Sequence, residues 1–343
     1  MPRLTYTFLL SLVLLMVTGC YREETFEGQY ADEYYIRHKG ADLPVWVRGN
    51  RQSKSFIVFI HGGPGGSSLR TALGRGLRDL SDAHPIVFFD QRLSGYAHGE
   101  RQADNLSIDQ MTEDLDVVIR FIQQTYNPDH IFLMGHSWGG FLGTAYLINP
   151  TYRARISGWI EAAGAHNFPL TWEAERAYVQ PIAEARVAAG EKTEYWQSFL
   201  DWNDTITALT SLEDLLFVNG FAQVADGKPG ATTAYENPPV FWQLTAPVPL
   251  GSSQKLILDA LQEVLIRDDL APYMSDITTP ALLIYGAYDA VVPKVLAQDA
   301  YDKLGTPASD KSIVIMPQEG HGMWEVEPAV FAGHVRDFIA RYE

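Results

Sequence analysis

The sequence predicts an α/β fold with a mainly parallel central sheet and an inserted helical cap. Short apolar runs alternate with segments whose apolar residues recur at helical spacing, as expected when helices join parallel strands. The predicted strands are Val45–Val47, Phe56–Ile60, Ile86–Phe89, Ile131–Met134, Gly158–Ile160, Ala281–Tyr285 and Ile313–Met316. The predicted helices are Ile108–Tyr126, Phe141–Ile148 and Val330–Tyr342. With 343 residues, 46% of them hydrophobic, the chain can bury one large core.

The alternation of strands and helices stops between residues 165 and 275. Helical segments there carry four tryptophans, which are Trp172, Trp196, Trp202 and Trp242. This segment is predicted to be a helical cap inserted between two parts of one core, 34–164 and 276–343. Glycines and prolines at 226–239 predict an irregular loop within the cap.

The N-terminus differs from the rest of the chain. Arg3 precedes an apolar run from Phe8 to Val17, and small residues then lead to Cys20. This is the pattern of a signal peptide, and its end resembles the lipobox of bacterial lipoproteins. We therefore expect a signal peptide at 1–19 and lipidation of Cys20.

A tether at 20–33 and an extracytoplasmic, lipid-anchored location in the bacterial cell envelope follow from that expectation. The alternative is an uncleaved transmembrane anchor, but the apolar run is shorter than the roughly 20 residues that a spanning helix needs. Since Cys20 is the only cysteine, no intramolecular disulfide can form.

The net charge of the chain indicates which kinds of partner it is expected to bind. The chain has 42 acidic and 26 basic residues, a formal net charge of −16, which repels phosphate backbones and anionic lipid faces. Nucleic acid is therefore excluded as an expected partner, and contact with a membrane is expected through the lipid anchor only.

A glycine-flanked serine follows the predicted strand Ile131–Met134. Residues 135–140 read Gly-His-Ser-Trp-Gly-Gly, and helical spacing begins directly afterwards. At such a junction this run forms a sharp turn that exposes the serine beside a helix N-terminus, the nucleophile elbow of the α/β-hydrolase fold. The pattern predicts Ser137 as the nucleophile, with His136 packed under the elbow.

A serine hydroxyl needs a neighbouring base, and that base needs a carboxylate to orient it. In this fold the acid and then the histidine follow later strands. Asp289 and His321 stand in those two places, so the sequence predicts a triad with Ser137. The alternative for Asp289 is a turn or helix-cap role; Asp299 and Asp310 are less well placed as the acid.

A glycine-rich run also follows an early predicted strand. Residues 61–66 read His-Gly-Gly-Pro-Gly-Gly, whose amides can turn toward the nucleophile without side-chain obstruction. The oxyanion hole is predicted from the amides of Gly63 and Trp138, with Gly62 as the less favoured donor. A phosphate-binding loop is the weaker interpretation, because the run lacks the Gly-Lys-Ser/Thr ending. His61 is interpreted as bracing the loop.

Together these motifs resemble the proline iminopeptidase family of α/β-hydrolase serine peptidases. The matching segments are His61-Gly62-Gly63-Pro64-Gly65, Asp90-Gln91-Arg92, Gly135-His136-Ser137-Trp138-Gly139-Gly140, Asp289 and Gly320-His321. The resemblance covers roughly residues 40–160 and 278–343 and implies release of an N-terminal residue, typically proline, from a peptide. After Arg92 the family usually has Gly-x-Gly, where this chain has Leu-Ser-Gly. Asp90 and Arg92 are interpreted as buttressing charges.

The resulting expectation is a serine aminopeptidase that releases proline or another small or apolar residue through an acyl-enzyme. A carboxylesterase, a lactonase or a C–C bond hydrolase remains open, because the same triad serves them all. A non-catalytic binding lipoprotein is a further alternative. No metal or organic cofactor is implied, and the expected partner is a peptide or small-molecule acyl substrate.

Family members that bind a free N-terminal amine use cap carboxylates, since a buried ammonium needs a paired charge. Residues 165–266 hold 13 acidic and 5 basic residues. The candidates near cap aromatics are Glu173, Glu175, Glu184, Asp201 and Asp204. The alternative for each is a solvated helix face, and the cap tryptophans fit a pocket lining and a cap core equally well.

Overall fold

The computed structural model describes residues 28–72, 74–229 and 250–343. The predicted signal peptide, Cys20 and the first part of the tether lie outside the described residues. Among the helices that are described, none combines the length and the apolar character that crossing a bilayer requires.

A mixed sheet of nine described strands forms the centre of the molecule. The strands are β1 Gln29–His38, β2 Ala41–Asn50, β3 Ser55–Ile60, β4 Ile86–Phe89, β5 His98–Gly99, β6 His130–His136, β7 Gly158–Ala162, β8 Ala281–Gly286 and β9 Lys311–Met316. Their order is β1-β2-β4-β3-β6-β7-β8-β9, and the short β5 pairs with β2. From β4 to β9 all neighbours are parallel, whereas β1, β2 and β5 join antiparallel. The predicted mainly parallel sheet is confirmed.

Helices flank this sheet. They are α1 Ser68–Ala72, α2 Arg75–Ser81, α3 Ile108–Tyr126, α4 Trp138–Ile148, α5 Pro150–Arg153, α6 Phe168–Ala188, α7 Thr193–Asn203, α8 Leu212–Ala225, α9 Leu250–Ala260, α10 Gln262–Arg267, α11 Val295–Lys303 and α12 Pro328–Tyr342. Strands β3, β4 and β8 are buried along their whole length. Because helices cover both faces of the parallel part of the sheet, the side chains on both sides of these strands are buried, and the strands are continuous apolar runs in the sequence.

The predicted tether is wrong at its C-terminal end, because β1 begins at Gln29 and pairs with β2 over ten residues. Its residues alternate between more and less exposed positions, as expected for an edge strand with one covered face. Tyr30 packs edge-on against Tyr126 of α3, with ring centroids 5.0 Å apart, and Tyr34 packs against Phe121 at 4.9 Å. Because this strand contains tyrosine and carboxylate side chains, it has no continuous apolar run in the sequence, and its amphipathic pattern is not recognised as a strand.

Between β7 and β8, the described residues form helices α6 to α10 and a single bridge between Asn167 and Asp269. Helices α6, α7 and α8 enclose a second apolar cluster, called here the cap core. Its buried members are Val179, Ala183, Trp196, Phe199, Phe221, Ala222 and Ala290. Trp196 and Trp202 therefore pack within the cap; Trp242 lies outside the described residues. The other domain limits given above stay predictions.

The topology brings the site together. Strands β6, β7, β8 and β9 are parallel neighbours, so their carboxyl ends share one edge of the sheet. Ser137 follows β6, Asp289 follows β8 and His321 follows β9.

Candidate active site

Ser137 occupies a strained turn between β6 and α4. Its φ of 57° and ψ of −123° are unusual for a residue with a side chain. Its amide donates to the carbonyl oxygens of Ala162 and Ala163, and its own carbonyl accepts from Gly140 and Ala165. These bonds to α4, to the end of β7 and to the residues after it hold the backbone in a conformation that it would not adopt alone, as the predicted elbow requires.

Glycine is required where the elbow packs against the neighbouring strand. A Cβ at Gly139 would lie 2.1 Å from the carbonyl oxygen of Ile60, and one at Gly135 would lie 2.3 Å from that of Gly139. Helix α4 can therefore begin directly after Ser137, three residues earlier than the predicted start at Phe141.

Asp289 and His321 form a hydrogen-bonded pair. His321 Nδ1 lies 3.0 Å from Asp289 Oδ2. The other carboxylate oxygen accepts from the amides of Val291 and Val292 at 2.9 and 2.8 Å. These two bonds fix the carboxylate, so Oδ2 faces the imidazole and favours the tautomer with a free Nε2.

The charges around His321 favour a protonated ring. Burial lowers the pKa of His321, but the carboxylates of Asp289, Asp226 and Glu325 outweigh it and raise the pKa above the ordinary 6.5. Such an imidazole is a stronger proton acceptor than an isolated one.

His136, the residue before Ser137, contacts His321. Its Nε2 lies 2.8 Å from the carbonyl oxygen of His321, and the two ring centroids are 4.6 Å apart. Burial, with repulsion from His321, lowers the pKa of His136 to about 3, so its ring is neutral and Nε2 is the donor. No hydrogen bond joins Ser137 to the His321 ring among the described residues. Asp289 and His321 are paired, and the predicted nucleophile Ser137 directly follows His136, whose ring contacts His321. Catalytic hydrogen bonds are often completed only when substrate binds.

The predicted oxyanion loop lies against the elbow. A Cβ on Gly62 would approach the Cβ of Ser137 to 3.1 Å, so the loop passes directly over the nucleophile. Within the described part of the chain, the amides of Gly63 and Trp138 donate no hydrogen bond to another group. Both remain available to an anionic oxygen.

Gln91 joins the two sides of this predicted hole. Its side-chain amide donates to the carbonyl oxygen of His61 at 2.9 Å and accepts from the indole of Trp138 at 2.9 Å. Its backbone amide donates to His61 Nε2 at 3.1 Å. Burial lowers the pKa of His61 to about 4, so this ring is a neutral brace. Gln91 belongs to the Asp90-Gln91-Arg92 motif, which by itself does not indicate this role.

Asp90 and Arg92 make internal contacts on either side of Gln91. Asp90 accepts hydrogen bonds from the amides of Ser68 and Tyr96 at 2.6 and 2.8 Å. Arg92 forms a bidentate, buried pair with Asp114 of α3 at 2.6 and 2.7 Å. Both are buttresses of the loop that follows β4.

One of the five cap carboxyl candidates is buried. Glu175 of α6 is only 2% exposed, whereas Glu173, Glu184, Asp201 and Asp204 are exposed. Its Oε1 accepts from Asn219 of α8 at 2.8 Å. Burial raises the pKa of Glu175 well above its ordinary value, and the nearby charge of Asp289 adds to this effect.

A second cap carboxylate, not predicted from the sequence, also belongs to the site. Asp226 at the end of α8 accepts hydrogen bonds from the backbone amides of His321 and Ala290. A short-range sequence signal could not identify it, because it is 63 residues before Asp289 and 95 before His321.

Comparison with known proteins identifies the fold family of the chain. A family model described as alpha/beta hydrolase fold matches residues 56–328. The chain is 24% identical over 315 residues to the proline iminopeptidase of Saccharolobus solfataricus, covering 90% of this chain and 92% of that protein.

Two solved structures are similar. The crystal structure of VinJ has a TM-score of 0.66 and 17% identity, over 92% of this chain and all of that one. An esterase from Exiguobacterium antarcticum has a TM-score of 0.58 and 21% identity, over 90% of this chain and all of that one. Likeness at these identities speaks for the fold alone. Because the family model spans most of the sequence and the sheet has the matching topology, the chain belongs to the alpha/beta hydrolase fold family.

Proposed function

We propose that the chain is a serine aminopeptidase that releases N-terminal proline, or another small or apolar residue, from peptides. The observation that carries the peptidase assignment is Glu175, a buried carboxyl group on the cap near the acid of the triad. The likeness to a proline iminopeptidase over most of both chains supports it.

The proposed reaction is a two-step acyl transfer. Ser137 attacks the carbonyl carbon of the scissile bond while His321 Nε2 accepts its proton and Asp289 holds the imidazole. The amides of Gly63 and Trp138 stabilise the developing oxyanion. His321 then donates the proton to the leaving amine, and water, activated by the same ring, releases the acyl group from the serine.

Glu175 would select substrates with a free amine. Burial with a single amide donor favours the protonated form of the Glu175 carboxyl group, because no cation among the described residues pairs with it. An incoming ammonium supplies that cation and makes an ion pair favourable. One turn earlier on the same helix face, the buried indole N–H of Trp172 has no partner among the described residues and can serve a substrate carbonyl.

The proposal is tested with fluorogenic amides of proline, alanine and N-blocked proline, beside a short-chain ester. We expect the unblocked proline amide to be preferred and Ser137→Ala to lose nearly all turnover while remaining folded. Glu175→Gln is expected to raise KM for the unblocked amide about tenfold or more, because a neutral amide cannot pair with the ammonium, and to leave ester hydrolysis intact.

Glu173→Gln is the matched control, since Glu173 lies on the same helix but is exposed. Equal rates on blocked and unblocked amides would contradict amine recognition. Cleavage of the ester alone would retain the triad and make the protein a carboxylesterase. A wild-type protein that neither turns over these substrates nor reacts with a fluorophosphonate would be a binding protein.

We also propose that Cys20 is lipidated and anchors the protein at the extracytoplasmic face of the bacterial envelope. The support is the sequence of residues 1–20, described above. Mass spectrometry of the mature N-terminus should find a diacylglyceryl group on Cys20, absent from Cys20→Ser. An intact, unmodified N-terminus at Met1 would contradict the proposal.

A further inference from the structure

The segment that leaves helix α8 contacts both catalytic loops. Asp226 Oδ1 accepts hydrogen bonds from the backbone amides of His321, at 3.0 Å, and Ala290, at 3.1 Å. Its Oδ2 is also 3.0 Å from the His321 amide. A single cap carboxylate therefore joins the loop that carries the base to the loop that carries the acid.

The residues after Asp226 extend this contact. The amide of Gly227 donates to the carbonyl oxygen of Tyr288 at 3.1 Å, and Lys228 Nζ donates to Gln318 Oε1 at 2.5 Å. Three consecutive cap residues thus bond to residues that flank Asp289 and His321.

The fit around the carboxylate is close. A Cβ at Gly320 would lie 2.7 Å from Asp226 Oδ2 and 2.8 Å from the backbone of Gly227. The glycine before His321 allows the cap segment to reach the His321 amide, so the Gly-His pair is explained by a contact with the cap.

We propose that Asp226 is a positioning residue of the hydrolase: it fixes the backbone of His321 against the acid loop and places a second carboxylate beside the base. This inference rests on the proposed chemistry of Ser137, His321 and Asp289. It extends that chemistry by making the cap part of the structure that aligns the triad, in addition to its role in substrate selection.

The charged and titratable neighbours agree with this role. Asp289, Asp226 and Glu325 act on His321 as anions, and His136 faces it as a neutral ring. Burial and the charge of Asp289 raise the pKa of Asp226, while the amides of His321 and Ala290 favour its ionised form. Tyr178 of α6 faces both aspartates; burial and their charges raise its pKa to about 12, so it stays neutral.

Two substitutions separate charge from hydrogen bonding. Asp226→Asn keeps a side-chain oxygen for the two amides but removes the charge. Asp226→Ala removes both. The primary measurement is the titration of the His321 imidazole by NMR, with its signal assigned through its loss in His321→Gln.

In Asp226→Asn we expect the His321 midpoint to fall by about half a pH unit to one pH unit, because one of three stabilising anions is gone. The acidic limb of kcat/KM should shift equally, with kcat changed less than about threefold. In Asp226→Ala we expect the same midpoint shift and a kcat at least about tenfold lower, because the loop is no longer fixed.

Glu213→Gln is the matched control, since it removes one charge from an exposed position at the other end of α8 and should change neither readout. Thermal unfolding establishes that each variant is folded. An unchanged His321 titration in Asp226→Asn, or full kcat in Asp226→Ala, would overturn the role of Asp226. The titration needs no substrate, so wild-type inactivity toward every amide and ester would overturn the proposed function and leave the test of Asp226 decisive.

Discussion

At the scale of single residues, the candidate site contains neighbouring ionisable groups whose pKa values are shifted in opposite directions. His321 is surrounded by carboxylates that stabilise its positive charge, whereas His136, in ring contact with it, is kept neutral by burial. The pKa values of these two adjacent histidines are therefore shifted in opposite directions. Of the two rings, His321 is therefore the better proton acceptor.

A pH profile follows from the raised pKa of His321. The base must be neutral to accept a proton, so activity is lost as pH falls through its pKa. We expect the acidic limb of kcat/KM to have its midpoint above 6.5, the value of an ordinary histidine. Initial rates between pH 5 and about 9 with the preferred substrate test this. A midpoint below 6.5 would mean that burial outweighs the surrounding carboxylates.

At the scale of elements, the loop after β4 is held by α3 through the Arg92–Asp114 pair. Both side chains are almost completely buried and are joined by two short hydrogen bonds. Removal of one partner leaves the other charge buried without compensation, which commonly costs about 3–5 kcal/mol.

We therefore expect Asp114→Asn to lower the free energy of unfolding by about 3 kcal/mol or more, as measured by urea denaturation. Asp109→Asn is the control, because Asp109 is an exposed residue of the same helix, and it should cost less than about 1 kcal/mol. An equal decrease in the free energy of unfolding in the two variants would show that the Arg92–Asp114 pair does not stabilise the fold more than an exposed carboxylate does.

The elements also show what the sequence could predict. Strands β3, β4, β6 and β8 were identifiable because they are buried on both faces, and helix α3 has the predicted bounds because its apolar stripe is regular. Strand β1 was not identifiable, since its covered face mixes polar residues with Tyr30 and Tyr34, whose aromatic partners lie about ninety positions away.

The same distinction applies to the site. Ser137, Asp289 and His321 could be proposed because the elbow motif and strand order determine their places, and the structure pairs Asp289 with His321. The sequence could not identify Asp226, nor could it select Glu175 from the five candidates, because the position of each depends on how the cap folds onto the sheet. Burial of Glu175 is a tertiary property that its helical neighbours do not encode.

At the scale of the whole molecule, two apolar cores meet at the active site. The main core surrounds the sheet, and the cap core lies between α6, α7 and α8. Ala290, the residue after Asp289, is fully buried in the cap core. Asp289, the proposed acid, is therefore followed by residues of both cores, Ala290 and Val292, and the stability of the cap should affect catalysis if the proposed function holds.

We expect Phe199→Ala, at a fully buried position of the cap core, to lower the free energy of unfolding by about 3–5 kcal/mol. Because the cavity would loosen the packing around Ala290, kcat should fall several-fold even where the protein is still folded. Leu216→Ala, at an exposed position of α8, is the control and should change neither quantity. Urea unfolding and turnover on the same preparations separate two outcomes. A loss of both quantities would make the cap core a support for the acid loop, whereas a loss of stability with unchanged kcat would mean that the main core alone holds Asp289 in place.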